Sequence, residues 1–426
     1  MRTLTLLLLF LGGITHAEVH TLTLKQTVTQ ALDQSPDVVL ARISEMKARE
    51  AVRVARDPFV PKVTAGSGAA IQHGYPNSID GAAPSIFQVR TSMAVFNRPR
   101  SYALAETREN VRAAGFDSQA RYDDVAFRTA ALYLDAEQAV RNAQSLGLEV
   151  EGLERVSEAV RLRIGEGREM PLAGMKNGVD LARARQRQEA ALADQQYAEE
   201  SLALVLGYAA GDRVHPAEGA DRSPLETPAT EQEAVAAALQ NSKELRSLES
   251  QLASKSLEVR AQKASRLPSL DLVAQYALFA KYNYQNFFQK FTRNNAQLGV
   301  SIQVPILAGS ASSGLAAQAE GDVVRLRTEF NQARGRLSVE TARGFQDIKR
   351  AESARAVAKL DLEYTREQVS VLLAQSEEGR ATRQAVDEAR LIEQEKWLAY
   401  YESQHALEKA RLNLLKQTGT IQAALK

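Results

Sequence analysis

The chain has 426 residues, with 53 basic and 52 acidic side chains, a formal charge of +1 and no cysteine. Charges so nearly balanced provide no basic surface for nucleic acid and no acidic solvating tail. Without cysteine there is no disulfide, no thiolate metal ligand and no lipid attached through sulfur. A mean hydropathy of −0.30 puts the bulk of the chain in water.

The first 17 residues, MRTLTLLLLFLGGITHA, place Arg2 before an apolar run from Leu4 to Phe10 and end in Thr15-His16-Ala17. These are the three parts of a secretory signal, and cleavage is expected after Ala17. The alternative is an uncleaved apolar N-terminal strand. The run is too short to span a bilayer, and no later segment offers 18 apolar residues in a row. If this exported chain enters a membrane, it does so as strands.

A first repeat is expected over 18–206. A helix over 24–56 ends at a proline-marked break, and two period-two segments follow at about 62–72 and 85–96. In the second of these, Phe87, Val89, Thr91, Met93 and Val95 face away from Gln88, Arg90 and Ser92,. No proline interrupts the helical stretch between Pro99 and Pro171. Its glycine-bearing break, RIGEGREMPLAGM, predicts a hairpin turn at about 164–176. Residues 207–230, with Pro216, Pro224, Pro228 and three glycines, read as a linker,.

The second repeat, 231–426, has the same order. A helix is expected over 231–265, strands over about 270–280 and 295–304, and a proline-free helical stretch beyond Pro305 broken once at about 376–383. VTQALDQSPDVV and VAAALQNSKELR align at an offset of 207, so Val28, Ala31, Leu32 and Ser35 stand opposite Val235, Ala238, Leu239 and Ser242. A unit of about 200 residues used twice is too long for a solenoid.

In 295–304, Ala296, Leu298, Val300, Ile302 and Val304 alternate strictly with polar residues, over the length of a tilted membrane strand,. A half-buried strand in a soluble sandwich alternates too. The loop before it adds a second signal. The chain has only 12 Phe, 12 Tyr and 1 Trp, yet Tyr276, Phe279, Tyr282, Tyr284, Phe287, Phe288 and Phe291 fall within YALFAKYNYQNFFQKFTRNN. Aromatic rings among Lys, Asn and Gln suit a membrane interface, apolar at one end and wet at the other. Four strands cannot close in lipid, because both edges would keep unpaired N–H and C=O groups. Single-chain barrels start at about eight strands, so the barrel must be shared between copies.

The expected helix over 311–375 carries an apolar or small stripe at Leu315, Ala319, Val323, Leu326, Phe330, Ala333, Leu337, Thr341, Phe345 and Ile348. Its mean step exceeds the 3.5 of a left-handed coiled coil, which predicts straight or slightly right-handed winding. At 1.5 Å per residue such a rod is about 100 Å long, a length suited to crossing the periplasm.

Taken together, LTLKQTVTQALDQSPDV at the start, the strand-to-helix passage VSIQVPILAGSASSG, the two halves and the glycine-marked tips resemble the TolC family of outer-membrane efflux and secretion channels. The resemblance covers the whole mature chain. It implies a mainly α homotrimer with a small β part: a 12-stranded transmembrane β-barrel, four strands per chain, continued by a long periplasmic α-helical barrel. It implies passive conduction of substrates supplied by an inner-membrane pump through a periplasmic adaptor, with outer-membrane lipid around the barrel. Adaptor docking would map to the tips, at Gly379, Arg380 and Thr382 and at Gly167 and Arg168. A periplasmic gate of acidic residues would fall on Glu388, with Asp387 adjacent, while Ala385 stands where a further acid would be. Unlike many relatives, this chain has no N-terminal cysteine to carry a lipid.

Nothing in the sequence points to an enzyme, a cofactor or a metal. His16, His20, His73, His215 and His405 lack ligand spacing,. GSASSG is not a nucleophile elbow, and the GEG at 165–167 is not a phosphate loop. Trp397 with Tyr400 and Tyr401 lies at helical spacing and reads as packing. The alternative of another class is a non-channel periplasmic coiled-coil scaffold or adaptor. An adaptor would need a separate β-rich domain and a single helical hairpin, and the duplicated strand pair argues against it.

Overall fold

A computed structural model describes residues 18–67, 85–217, 225–279, 292, 294–306 and 310–425. In chain order these form β1 (Val19–Leu22), α1 (Leu24–Gln34), α2 (Pro36–Arg56), a 3-10 turn (Asp57–Phe59), β2 (Lys62–Gly66), β3 (Ser85–Phe96), α3 (Arg98–Gly165) and α4 (Pro171–Leu206). There follow β4 (Arg213–Pro216), α5 (Glu231–Asn241), α6 (Lys243–Ala264), β5 (Ser269–Phe279), β6 (Asn294–Gln303), α7 (Ala311–Glu377), α8 (Arg383–Gln417) and α9 (Ile421–Leu425). The signal segment 1–17 lies outside the described residues, as does the end of the expected 62–72 strand beyond Ser67.

The helix expected over 24–56 is two helices, broken at Ser35, whose ψ of 134° is extended. Pro36 disfavours helical backbone at the residue before it and suits the first position of the next helix. The second repeat breaks at the equivalent Ser242, with ψ 116°, without a proline. Each pair opens on a capping box, Thr23 with Gln26 and Thr230 with Glu233. The offset is again 207, so the duplication preserves the cap as well as the apolar pattern.

Two compact units are present. One comprises residues up to Leu40, Ala120–Ser242 and Gly335–Lys426; the other comprises Ala41–Gln119 and Lys243–Arg334. The first is built around a core in which Val28, Tyr133, Leu202, Leu206, Val214, Leu412 and Ile421 are almost fully buried. Each large side chain there contributes about 1.5–3 kcal/mol. Tyr133 satisfies its hydroxyl by donating to the Leu22 carbonyl at 3.2 Å. The supposed linker is more ordered than its composition suggests. Arg213–Pro216 pairs in parallel with Val19–Leu22, and the Glu18 amide donates to Asp212 Oδ1 at 3.1 Å. Beneath this pair Glu199, 1% exposed, holds His215 Nδ1 at 2.7 Å and accepts from Gln195 at 2.9 Å. A buried carboxylate needs such partners.

Also in the first unit, Asp135 of α3 accepts from His405 and Lys409 of α8, each at 2.8 Å. Burial pushes its carboxyl up, but the bonds from His405 and Lys409 outweigh burial and hold it below the ordinary range,. Trp397 stacks on Tyr401, and Arg141 lies over the Tyr401 ring at 5.4 Å, so these rings pack between helices.

The second unit holds a four-stranded sheet in the order β2-β3-β5-β6 and the helical segments next to it. Lys255 of α6 bridges Glu258 at 2.6 Å and Asp322 of α7 at 3.4 Å. Burial, then Glu258, pushes the nearby Glu106 carboxyl up, against the pull of Lys255. Along α7 the stripe from Ala319 to Ile348 is buried or half-buried as expected. Leu315 is instead 48% exposed, with Ala316 buried in its place. No described helix is long and apolar enough to cross a membrane.

Candidate functional site

The sheet has two chemically distinct faces. Register places Thr91 opposite Ala274 and Ala274 opposite Leu298, and likewise Met93 opposite Leu272 and Val300. Val63 and Ala65 of β2 join the same side through Thr91 and Val89. This face is apolar across all four strands, and Val63, Leu298, Val300 and Ile302 are 57–78% exposed. The opposite face carries Thr64, Gln88, Arg90, Ser92, Asp271, Gln275, Gln297 and Ser301. An apolar side bared to its surroundings and a polar reverse is the pattern of a strand with lipid on one side and water on the other.

A register shift between Ala94 and Phe96 leaves Val95 as an extra residue without a register partner and sets Phe96 opposite Leu270. A bulge inserts one residue and reverses the alternation beyond it. The sheet is open, with β2 and β6 as its two edges. At its end Tyr276 is 40% exposed, and its hydroxyl donates to Asn294 Oδ1 at 3.3 Å. Phe279 is the last residue of β5. The rest of the aromatic group, Tyr282, Tyr284, Phe287, Phe288 and Phe291, lies outside the described residues.

The helical turns form the other candidate. Residues 166–170 reverse the chain between α3 and α4, and 378–382 between α7 and α8. Gly167 and Gly379 have φ of +70° and +73°, a left-handed conformation that a Cβ resists,. The Gly167 amide donates to the Ile164 carbonyl and the Arg168 amide to Arg163; Gly379 and Arg380 donate likewise to Ser376 and Gln375. Both turns are therefore Schellman caps. Arg168 pairs with Glu166, and Arg380 with Glu378, each at 3.1 Å. The acidic member of each pair is absent from the sequence expectation, although its signal was in view: Glu-Gly-Arg occurs at both turns. Thr382 has a structural task, capping α8 by accepting from the Ala385 amide at 3.3 Å.

Asp387 and Glu388 line a cavity of about 130 Å³ between these hairpins, with Val156, Arg163, Lys176 and Leu391. Asp387 is half-buried. Glu388 is exposed and accepts from Gln384 at 3.2 Å. Glu169 and Asp180 line it too, so four acids face a groove that also holds two cations and apolar side chains. Among the described residues no group of three or more His, Asp or Glu is arranged to hold a metal ion.

The sequence profile of a family described as outer membrane efflux protein matches residues 27–208 and again 234–425. The two matches begin 207 residues apart, the offset of the internal repeat. Among solved structures, a membrane protein from Pseudomonas aeruginosa superposes with a TM-score of 0.78 at 16% identity, over 93% of this chain and 93% of its own. The outer membrane protein VceC from Vibrio cholerae gives 0.73 at 16% identity, over 93% and 96%. The CmeC outer membrane channel from Campylobacter jejuni gives 0.76 at 13%, over 93% and 85%. At these identities the likeness is one of fold. Among curated proteins none matches in sequence.

Proposed function

Because the chain belongs to the outer membrane efflux protein family, we propose that it is the outer-membrane conduit of a tripartite efflux or secretion system. In this reading it passes substrates from an inner-membrane pump and a periplasmic adaptor through periplasm and outer membrane without doing chemistry. The observation that carries this reading is the four-stranded sheet, apolar on one face, polar on the other and open at both edges. In lipid its edges must pair with those of other copies. Two copies reach the eight strands of the smallest single-chain barrels and three reach twelve, and the TolC-family resemblance favours three. Exposed apolar side chains at Leu172, Met175 and Val179 on α4, and at Val357, Leu360 and Tyr364 on α7, offer further faces for a second copy to cover,.

The tips suit adaptor docking, with Gly167 and Arg168 at one and Gly379, Arg380 and Thr382 at the other, while Asp387 and Glu388 are the acids of a gate. Mass measurement of the detergent-extracted mature chain should give three chains per particle, and these particles should conduct in planar bilayers. A stable water-soluble monomer would overturn the proposal.

A further inference from the structure

The polar face of the sheet holds one charge without a counter-charge near its middle. Arg90 lies on β3 between Gln88 and Ser92, opposite Thr64 on β2 and Gln275 on β5. All four of these neighbours are neutral. The side chain is exposed, and no described carboxylate pairs with it. The other charges on this face are Lys62, diagonal to Arg90 and opposite Ser92, and Asp271. Lys62 is ion-paired with Asp57. Asp271 lies opposite Ala94, four residues along the sheet from Arg90, which is about 13 Å.

We propose that Arg90 forms a positive belt inside the outer-membrane pore, which favours anions over cations and eases the passage of negatively charged cargo. This rests on the trimeric barrel proposed above. Twelve strands about 4.8 Å apart and tilted about 40° enclose a cylinder roughly 12 Å in radius. An arginine reaching about 5 Å inward leaves three charges roughly 7 Å from the axis. That is within the Debye length of about 10 Å at 0.1 M salt. With the dielectric constant of water, three such screened charges enrich a monovalent anion at the axis roughly fourfold and deplete a cation to match.

The test is the ion selectivity of the full mature chain in planar bilayers under a potassium chloride gradient. Near 0.1 M salt, Arg90→Gln should lower the chloride-to-potassium permeability ratio by roughly sixteenfold, and Arg90→Glu should lower it further. Arg90→Lys should keep the parent ratio. At 1 M salt, where the Debye length is about 3 Å, the four proteins should converge. Conducting Arg90→Gln and Arg90→Glu channels with the parent ratio at 0.1 M would overturn the belt and leave the barrel standing. So would a difference undiminished at 1 M. A parent chain that forms neither oligomer nor channel would overturn barrel and belt together.

Discussion

An arginine at Leu298 probes the two faces of the sheet directly. Leu298 is the fifth of ten residues in β6 and is 78% exposed on the apolar side. At about 3.4 Å per residue the strand is roughly 34 Å long, and a tilt of about 40° leaves about 26 Å across the membrane. That matches an apolar band about 25 Å tall and puts Leu298 near the midplane, where a lipid-facing arginine costs about 2–4 kcal/mol. In a trimer the term enters three times, about 6–12 kcal/mol, comparable with the whole stability of a domain. Gln297 is its neighbour in sequence but faces the polar side, opposite Gln275. An arginine there exchanges one hydrated group for another and should cost under about 0.5 kcal/mol. The measurement is the amount of heat-resistant oligomer recovered from outer membranes. Leu298→Arg should lose most of it, whereas Gln297→Arg should keep the parent level. Equal loss in both, or greater loss in Gln297→Arg, would refute the assignment of faces.

Replacing Tyr282, Tyr284, Phe287 and Phe288 together by Ser should weaken membrane anchoring while helical circular dichroism is unchanged; a collapse of the helical signal would make the loop part of a core. Asp135→Asn should lower stability at pH 7 by about 0.5–1 kcal/mol, discounted because the carboxylate is partly exposed. Since His405 and Lys409 lower this carboxyl in the folded chain, its contribution is full above the ordinary carboxylate range and is lost as pH falls below about 4,. Denaturant titrations of parent and variant should therefore differ at pH 7 and draw together as the pH falls through the carboxyl's lowered folded-state value,. Arg380→Glu replaces the cation paired with Glu378 by an acid and should cut transport without lowering the amount of oligomer. Glu388→Gln should reduce the cation preference contributed by the groove end, read as single-channel selectivity, and an unchanged preference would remove Glu388 from the gate.

Much of the architecture was legible because a repeated physical pattern carried it. Alternation at 295–304 needs only a side-chain period of two to become β6, and the proline-free stretches become α3 and α7. The bulge at Val95 was hidden, since a register shift is a relation between strands and leaves no mark in one of them. The breaks at Ser35 and Ser242 were missed for another reason: the apolar pattern runs on across them, while the capping boxes that mark the helix starts lie at Thr23 and Thr230. The β1–β4 pair was invisible because it joins Val19 to Arg213 across nearly 200 residues of sequence. At the tips, Gly167 and Gly379 announce turns through their need for positive φ, but the ion pairs to Glu166 and Glu378 appear only once the turn is folded.

Those tips show what duplication retained and what it released. Both turns keep Glu-Gly-Arg, the same pair of backbone hydrogen bonds and the same 3.1 Å ion pair. Their exits differ. After the first, α4 starts at Pro171 behind Met170, which makes no side-chain cap, and Met170, Leu172 and Met175 are 70–72% exposed. After the second, Thr382 caps α8, and Arg383 and Gln384 face solvent. A partner that touches only the turns meets the same fixed arginine at both. One that reaches past them meets flexible apolar methionines at the first, which adapt to varied shapes, and hydrogen-bonding groups at the second. The two tips of one chain are therefore equivalent in backbone and inequivalent in chemistry, so exchanging Met170 and Met175 for polar residues should impair contacts at the first tip and leave the second untouched.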